Sequence, residues 1–229
     1  MKKIIILILI LVVVFLGYKF LIQGGKSEQE ADIPKMEEEK AAVETEPEAV
    51  TEAKEGMTVE EKMAIEAPVW GTLERAKNPV VVVETNFGTI ELELYWKETP
   101  KTAESFLYLV NKGYYNDLIF HRIVPNFVIQ GGDPMGDGTG GPGYNVPFEK
   151  ADTKHLRGSL GMARSQDPNS GGSQFYICLR DLPNLDGNYV VFGKVVKGMD
   201  VVDEIAKVPT GPGDFPEEQV LMTEVYEKE

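Results

Sequence analysis

The chain has 229 residues, with 37 acidic and 23 basic side chains and a formal net charge of -14. This acidic balance, without a basic patch interleaved with aromatic residues, disfavours nucleic acid as a partner. The single cysteine, Cys178, excludes an intramolecular disulfide, and a hydrophobic core must therefore hold the fold. His121 and His155 are too few and too far apart in sequence to suggest a zinc site. We therefore predict a protein without metal or cofactor.

The first 24 residues are dominated by an apolar run. Lys2 and Lys3 precede the sequence IIILILILVVVFLGYKFLI, which ends at Ile22. As a helix this run would extend about 28 Å, close to the ~30 Å hydrocarbon thickness of a bilayer. A cleaved signal peptide is the alternative, but the run is longer than a typical signal core and no A-x-A site follows it. We predict that residues 1–24 form an uncleaved transmembrane anchor, with both lysines on the cytoplasmic side.

Residues 25–78 are predicted to form a disordered, acidic linker. Between residues 26 and 78, fifteen acidic residues stand against seven basic ones, and few residues are suited to a core. Such a segment cannot offset the entropy lost on ordering. One exception is a short helix near residues 58–66, where Thr58 and Glu61 fit a capping box. Trp70, which follows it, is expected to pack on the domain.

Residues 79–229 are predicted to form one domain rich in β-structure. Runs of β-forming residues at 80–84 and 89–95 indicate a hairpin. A helix is predicted between Thr99 as N-cap and Gly113 as C-cap, with Pro100 as its first residue. Further strands are predicted near 118–124, 127–130, 159–163, 174–179, 190–195 and 219–226, with a second helix over 199–207. This pattern fits an antiparallel barrel whose ends are covered by the helices, and a sandwich nearly as well.

The stretch FHRIVPNFVIQGGD places a charged residue within an apolar strand. Period-two alternation predicts that Phe120, Arg122 and Val124 share a face. An arginine there is either a structural ion-pair partner or a residue with a chemical role. Cys178, within QFYICL, is expected to be a small buried hydrophobe rather than a nucleophile. The glycine-rich stretch GGDPMGDGTGGPGYNVPFE lacks the spacing of a P-loop, and we interpret it as a surface loop.

Six ordered motifs carry a resemblance to a known family. They are FHRIVPNFVIQGGD, GDGTGG, GSLGMARS, PNSGGSQFYI, LDGNYVVFGKV and GMDVVDEI. Together they resemble the cyclophilin family of peptidyl-prolyl cis-trans isomerases, over about residues 80–226. The resemblance implies a mainly β fold, a closed eight-stranded antiparallel barrel capped by two α-helices. It also implies catalysis of rotation about X-Pro peptide bonds, in a groove on the outside of the barrel.

The resemblance assigns roles to particular residues. Arg122 matches the catalytic arginine, and Gln130 matches the side chain that hydrogen-bonds the substrate backbone. The remaining positions match residues that bind substrate. They are the proline pocket (Phe127, Val128, Tyr176, Leu185), the edge along which the peptide lies (Ala163 and Arg164, the latter through its main chain), the border of a neighbouring pocket (Gly138, Thr139) and Tyr189, where many relatives carry histidine.

Some positions depart from the family pattern. Val128 stands where relatives often have methionine, and Tyr176 stands where they have phenylalanine; both keep an apolar wall. Asn184 replaces the tryptophan of relatives that bind cyclosporin well, and this disfavours inhibitor binding more than catalysis. The pocket residues therefore still predict an isomerase.

Anchor, linker and domain together predict a membrane-tethered isomerase on the extracytoplasmic side of a cell membrane, or a secreted one if the first segment is cleaved. Its partners would be proline-containing segments of exported or envelope proteins, whose folding it would assist. The catalytic domain is expected to be monomeric. A peptide-binding or chaperone module with weak catalysis is the alternative, and a purely structural spacer is a third hypothesis.

Overall fold

The computed structural model describes residues 56–71 and 73–229. The predicted anchor over residues 1–24 and most of the predicted linker lie outside these residues. Within the described part of the chain, no helix combines the length and apolarity needed to cross a membrane.

In the described part of the chain, nine strands form one antiparallel sheet, and the prediction of a mainly β fold is confirmed. The order across the sheet is β3-β9-β1-β2-β8-β6-β7-β5-β4. The strands are β1 (Val80–Thr85), β2 (Gly88–Leu94), β3 (Leu118–Ile119), β4 (Arg122–Val124), β5 (Val128–Gly131), β6 (Ser159–Met162), β7 (Phe175–Cys178), β8 (Val191–Lys197) and β9 (Leu221–Glu227).

The sheet curls because its two edge strands are consecutive along the chain. β3 and β4 lie at opposite ends of the strand order, yet only Phe120 and His121 separate them. The three Cα–Cα steps from Ile119 to Arg122 span at most about 11 Å, and the two edges must therefore approach each other. The single strand predicted over residues 118–124 is thus two strands. The predicted count of eight strands is wrong by one for this reason.

The same break changes which face Arg122 occupies. Phe120 is fully buried in the main core together with Ile123, whereas Arg122 is only partly buried. The chain leaves β9 and joins β5 across Phe120 and His121, and strict alternation does not continue through that change of partner. The prediction that Phe120 and Arg122 share a face is therefore wrong.

Within residues 56–71 and 73–229, three α-helices accompany the sheet: α1 (Val59–Met63), α2 (Pro100–Asn111) and α3 (Met199–Ile205). α2 and α3 agree with the two predicted helices, and their apolar side chains join the main core. Thr99 precedes α2, but its hydroxyl donates to the Tyr95 carbonyl instead of capping the helix. The carboxylate of Glu149 accepts the first amide hydrogens instead, from Lys101 at 3.0 Å and Thr102 at 2.7 Å. The helix start is therefore fixed by a residue distant in sequence.

The main core lies between the inner face of the sheet and helices α2 and α3. Phe106 on α2 is at its centre, with ring centroids 4.8 Å from Tyr115, 5.4 Å from Phe175 and 5.3 Å from Phe192. All four rings are almost completely buried. Aromatic pairs at these distances add to the stability gained from area burial.

Residues 56–71 and 73–78, here called the strap, pack on the domain before its predicted start at residue 79. The predicted capping box is present, since Thr58 and Glu61 exchange hydrogen bonds of 2.8 and 3.2 Å. Ile65 joins the main core, and buried Lys62 donates to the Asn116 carbonyl at 2.6 Å. Trp70 meets Tyr144 edge to face at 5.9 Å, as expected. The domain boundaries themselves stay predictions.

The strap should contribute measurably to stability. Ile65→Ala removes a side chain that is 9% exposed and packed on the main core, and we expect a loss of about 2 kcal/mol in the free energy of unfolding. Leu73→Ala is the matched control, because Leu73 is 55% exposed and should cost less than about 0.5 kcal/mol. Urea unfolding of both variants measures the difference. Equal, small losses would show that the strap is not held on the domain.

Candidate active site

The register of four neighbouring strands aligns a row of residues across the outer face of the sheet. Arg122 on β4 pairs with Gln130 on β5, Gln130 pairs with Tyr176 on β7, and Tyr176 pairs with Gly161 on β6. Their neighbours along the strands point the other way, because successive side chains alternate between faces. Those neighbours belong to the main core: Ile123, Ile129, Phe175, Ile177, Leu160 and Met162.

A cavity of about 210 Å³, here called the Arg122 cavity, opens over this row. All of its lining residues were predicted as site residues from the sequence. They are Arg122, Phe127, Val128, Gln130, Ala163, Arg164, Tyr176, Leu185 and Tyr189. The other two predicted residues, Gly138 and Thr139, line a neighbouring cavity. The structure therefore brings the predicted residues together, while their individual roles stay predictions.

The floor of the Arg122 cavity is a small apolar cluster separate from the main core. Val128, Tyr176, Cys178 and Leu182 form it. The ring of Tyr176 lies directly over Gly161, where a Cβ atom would overlap it. Cys178 is fully buried, and burial raises the pKa of its thiol to about 12. The prediction that this cysteine is buried is confirmed.

A buried hydrogen-bond chain holds Tyr176 in place. The hydroxyl of Tyr176 lies 2.9 Å from Nε2 of His155, and Nδ1 of His155 lies 2.9 Å from the Asp186 carboxylate. Asp186 also accepts the backbone N–H of His155 at 2.9 Å. The phenol that replaces the family's phenylalanine therefore has a partner. Neither His155 nor Asp186, which lie 31 residues apart, was predicted as a site residue.

Arg122 forms an ion pair at the edge of its cavity. Its Nη2 donates to Oδ2 of Asp214 at 3.2 Å. Asp214 ends the 3-10 turn Pro212–Asp214 and has a positive φ of 63°. Both side chains are partly exposed, at 35% and 44%. One guanidinium N–H is thus engaged, and the other donors of the planar fork remain suited to a ligand. Asp214 was not predicted as a site residue.

Gln130 is oriented by a second glutamine. Its Nε2 donates to Oε1 of Gln174 at 3.0 Å, and Nε2 of Gln174 donates to the carbonyls of Gly138 and Gly140 at 3.0 and 2.9 Å. With Nε2 of Gln130 engaged, its Oε1 is the atom suited to accept a peptide N–H. Gln174 lies within the PNSGGSQFYI motif but was not predicted as a site residue.

Arg164 points its guanidinium towards a loop. Its side chain donates to the carbonyl of Asn188 at 2.8 Å and to that of Ser165 at 2.8 Å, and it stacks on the Tyr189 ring at 4.5 Å. The side-chain donors are therefore engaged within the protein. This arrangement agrees with the expectation that Arg164 contributes through its main chain.

The second cavity, here called the glycine-rich cavity, has a volume of about 480 Å³ and adjoins the first. The two share Gln130, Ala163 and Arg164 as lining residues. Buried Asp133 organises the loop on one side, because its carboxylate accepts amide hydrogens from Met135 at 2.8 Å, from Asp137 at 3.1 Å and from Gly138. The expected surface loop is therefore folded around a buried carboxylate.

Two further properties describe the site's chemistry. Among residues 56–71 and 73–229, no group of three or more His, Cys, Asp or Glu side chains is arranged to hold a metal ion. Burial lowers the pKa of His155, although its hydrogen bond to the Asp186 carboxylate opposes the shift. Burial also lowers the pKa of His121, which lies between Phe120 and Arg122 and is 2% exposed.

These shifts predict a loss of stability in mild acid. Because both folded pKa values lie below the unfolded value of 6.5, the unfolded chain binds more protons there. The contribution of the two histidines to the free energy of unfolding is thus fully present above about pH 6.5. It falls as the pH drops below that value, by at most about 1.4 kcal/mol per pH unit for each histidine. The lowered carboxyl pKa values, such as that of Asp186, act at lower pH because they start from 3.8 for aspartate and 4.5 for glutamate.

Urea unfolding between pH 7 and pH 5 measures this effect. The chain has two histidines, and the double variant His121→Gln/His155→Gln should show a nearly flat profile over that range, whatever its absolute stability. A slope in the double variant equal to that of the parent would assign the pH dependence to other groups.

Comparison with known proteins agrees with the geometry. The family model described as cyclophilin type peptidyl-prolyl cis-trans isomerase/CLD matches residues 80–227. A peptidyl-prolyl cis-trans isomerase of Helicobacter pylori is 46% identical over 136 residues, which are 58% of this chain and 83% of that protein. The isomerase CYP18-2 of Arabidopsis thaliana is 42% identical over 156 residues, which are 65% of this chain and 94% of that protein.

Solved structures give the same result. A crystal structure of a cyclophilin type peptidyl-prolyl cis-trans isomerase of Cryptosporidium parvum superposes with a TM-score of 0.64 at 34% identity, covering 66% of this chain and 98% of that one. A second structure, described as that isomerase in the presence of the dipeptide Ala-Pro, gives a TM-score of 0.63. The curled sheet, the outer cavity and these matches lead to one conclusion. The chain belongs to the cyclophilin family and is a peptidyl-prolyl cis-trans isomerase.

Proposed function

We propose that the Arg122 cavity holds the proline ring of an X-Pro segment while Arg122 acts on the twisting amide. Rotation about this bond is opposed by about 18 to 20 kcal/mol, because the nitrogen lone pair is delocalised into the carbonyl. As the nitrogen pyramidalises, its lone pair becomes an acceptor, and a guanidinium N–H of Arg122 donates to it. This bond forms mainly in the twisted state, as catalysis by differential binding requires.

The observation that supports this proposal is the position of Arg122 in the cavity. A permanently charged donor lies beside the apolar floor formed by Val128 and Tyr176. Gln130, next to Arg122 in the same row, is positioned to accept a backbone N–H of the substrate. The apolar floor binds the proline ring and removes water from the amide, while Gln130 holds the flanking backbone so that only part of the peptide rotates.

The alternative role for Arg122 is a structural ion pair with Asp214. Both partners are partly exposed, and exposed ion pairs contribute only about 0 to 1 kcal/mol to stability. An ion pair of this kind does not explain why the arginine lines an apolar cavity. We infer instead that Asp214 steadies the guanidinium and leaves its remaining donors for the substrate.

We further propose that the isomerase is tethered to a cell membrane, with the catalytic domain on the extracytoplasmic side as a monomer. The proposal is supported by the apolar run that ends at Ile22, by Lys2 and Lys3 before it, and by the acidic composition of residues 26–78. Its substrates are then proline-containing segments of exported or envelope proteins, whose folding it assists.

Arg122→Ala tests the chemistry. The parent chain should accelerate cis/trans exchange of a short Ala-Pro peptide. The variant should lose about ten- to a hundredfold in kcat/KM, because one charged hydrogen bond contributes about 1.5 to 3 kcal/mol. Its thermal midpoint should stay nearly unchanged, since the lost ion pair is partly exposed.

Two further variants separate charge from geometry. Arg122→Lys should restore little activity, because an ammonium lacks the planar fork. Asp214→Asn keeps the guanidinium and should lose less activity than Arg122→Ala. A variant Arg122→Ala that melts much earlier, yet turns over at the parent rate while folded, would show that Arg122 is a structural residue. A parent chain that binds the peptide without accelerating exchange would favour the binding module.

The tether is tested on the intact chain. We expect the protein to fractionate with membranes and to keep Lys2 and Lys3 in its mature form, because no small-residue cleavage site follows the apolar run. Mass spectrometry of the purified protein reads its N-terminus. A mature N-terminus near Gly25 would identify a cleaved signal peptide and a secreted enzyme.

A further inference from the structure

The strap reaches the peptide groove at the far side of the glycine-rich cavity. Met63, the last residue of α1, lines this cavity together with Gly143 and Tyr144. The strap backbone lies close to the loop there: a Cβ atom on Gly143 would be only 2.5 Å from the Met63 carbonyl oxygen. Gly143 also has a positive φ of 89°, which favours glycine. The strap and the cavity wall are therefore in direct contact.

A second contact supports the same wall. Trp70 packs edge to face against Tyr144, whose hydroxyl lies 3.0 Å from that of Ser105 on α2. Lys62 and Ile65 hold this part of the strap on the domain through a partly buried hydrogen bond and a core contact. Met63 lies between these anchors and is 41% exposed. It is thus held in position and accessible.

The lining of the glycine-rich cavity favours an uncharged ligand group. Among the residues that the structure describes, Arg164 is the one charged residue in the lining, and its guanidinium is bonded to loop carbonyls. Other polar groups are also engaged within the protein: Gln174 donates to two glycine carbonyls, and Ser165 donates to Ser170. For an uncharged side chain, apolar contact is offered by Met63, Pro142 and the ring of Tyr144, while Oε1 of Gln130 remains an acceptor for the peptide backbone.

We propose that the strap is part of the substrate-binding groove, and that Met63 forms the wall against which a long, uncharged substrate side chain packs. This inference rests on the proposed function, since it places the proline in the Arg122 cavity. The two cavities share Gln130, Ala163 and Arg164, and one extended peptide therefore reaches both. A thioether side chain adapts to different apolar shapes. Residues upstream of the family match, which begins at residue 80, thus set preference at a position flanking the proline.

Peptide kinetics with the full-length chain test the proposal. The substrates are a series of short Ala-Pro peptides. In each peptide, one residue that flanks the proline is changed from alanine to leucine. At one of these positions the parent should prefer leucine over alanine, measured as the ratio of kcat/KM values. Met63→Ala should lower that ratio by about three- to tenfold, less than for a fully enclosed pocket, because the side chain is partly exposed.

The matched control is Val59→Ala, on the same helix and with the same exposed fraction of 41%, but outside the cavity lining. It should leave the ratio unchanged. Met63→Glu tests whether a new preference can be created. A carboxylate on the wall should raise the kcat/KM ratio of lysine to leucine at the same position. Thermal midpoints of all three variants should stay near that of the parent.

The outcomes separate the two proposals. A parent chain that does not accelerate exchange of the Ala-Pro peptide overturns the proposed function, and this inference with it. Normal exchange with the same leucine-to-alanine ratio in the parent, Met63→Ala and Val59→Ala overturns the inference alone. An equal change in Met63→Ala and Val59→Ala also overturns it, because the effect would then not come from the cavity wall.

Discussion

The site depends on one register of strand pairing, which aligns Arg122, Gln130, Tyr176 and Gly161 across four neighbouring strands. With strands about 4.8 Å apart, this row spans about 14 Å, which is room for a short extended peptide. A slip of one residue in any strand would turn its member of the row into the core. The apolar residues between the row members prevent that slip, because the main core buries them. The stability of the core therefore maintains the geometry of the groove.

Local sequence patterns predicted most elements because those elements depend on local properties. The β-forming runs and the capping box of Thr58 and Glu61 are examples. The break at Phe120 and His121 depends instead on pairing with two different strands, one of which begins at Leu221, about a hundred residues away. Alternation alone cannot show where a strand changes partner. Alternation correctly predicted that the strand has two faces, but it wrongly assigned Phe120 and Arg122 to the same face.

The site residues also divide into those that sequence motifs predicted and those that were missed. Those within the six motifs were predicted from the resemblance, and they line the Arg122 cavity or, for Gly138 and Thr139, the glycine-rich cavity. Asp214 and Met63 were missed because neither lies in a motif; Asp214 meets Arg122 across 92 residues, and Met63 lies upstream of the family match. His155 and Asp186 were missed because the pocket tyrosine was treated only as an apolar wall. A phenol at a phenylalanine position is itself a signal, since a buried hydroxyl requires a partner.

Isomerisation makes and breaks no covalent bond, and the protein can lower the barrier only by binding the twisted amide more tightly than the planar one. In the proposed mechanism, one charged hydrogen bond from Arg122 contributes about ten- to a hundredfold. Contacts far from the amide, such as those in the glycine-rich cavity, grip the flanking residues whether the bond is planar or twisted. By themselves they select the substrate without accelerating rotation. They assist rotation only because they hold one side of the bond still, and this requires a rigid wall. The strap, anchored by Lys62 and Ile65, provides such a wall.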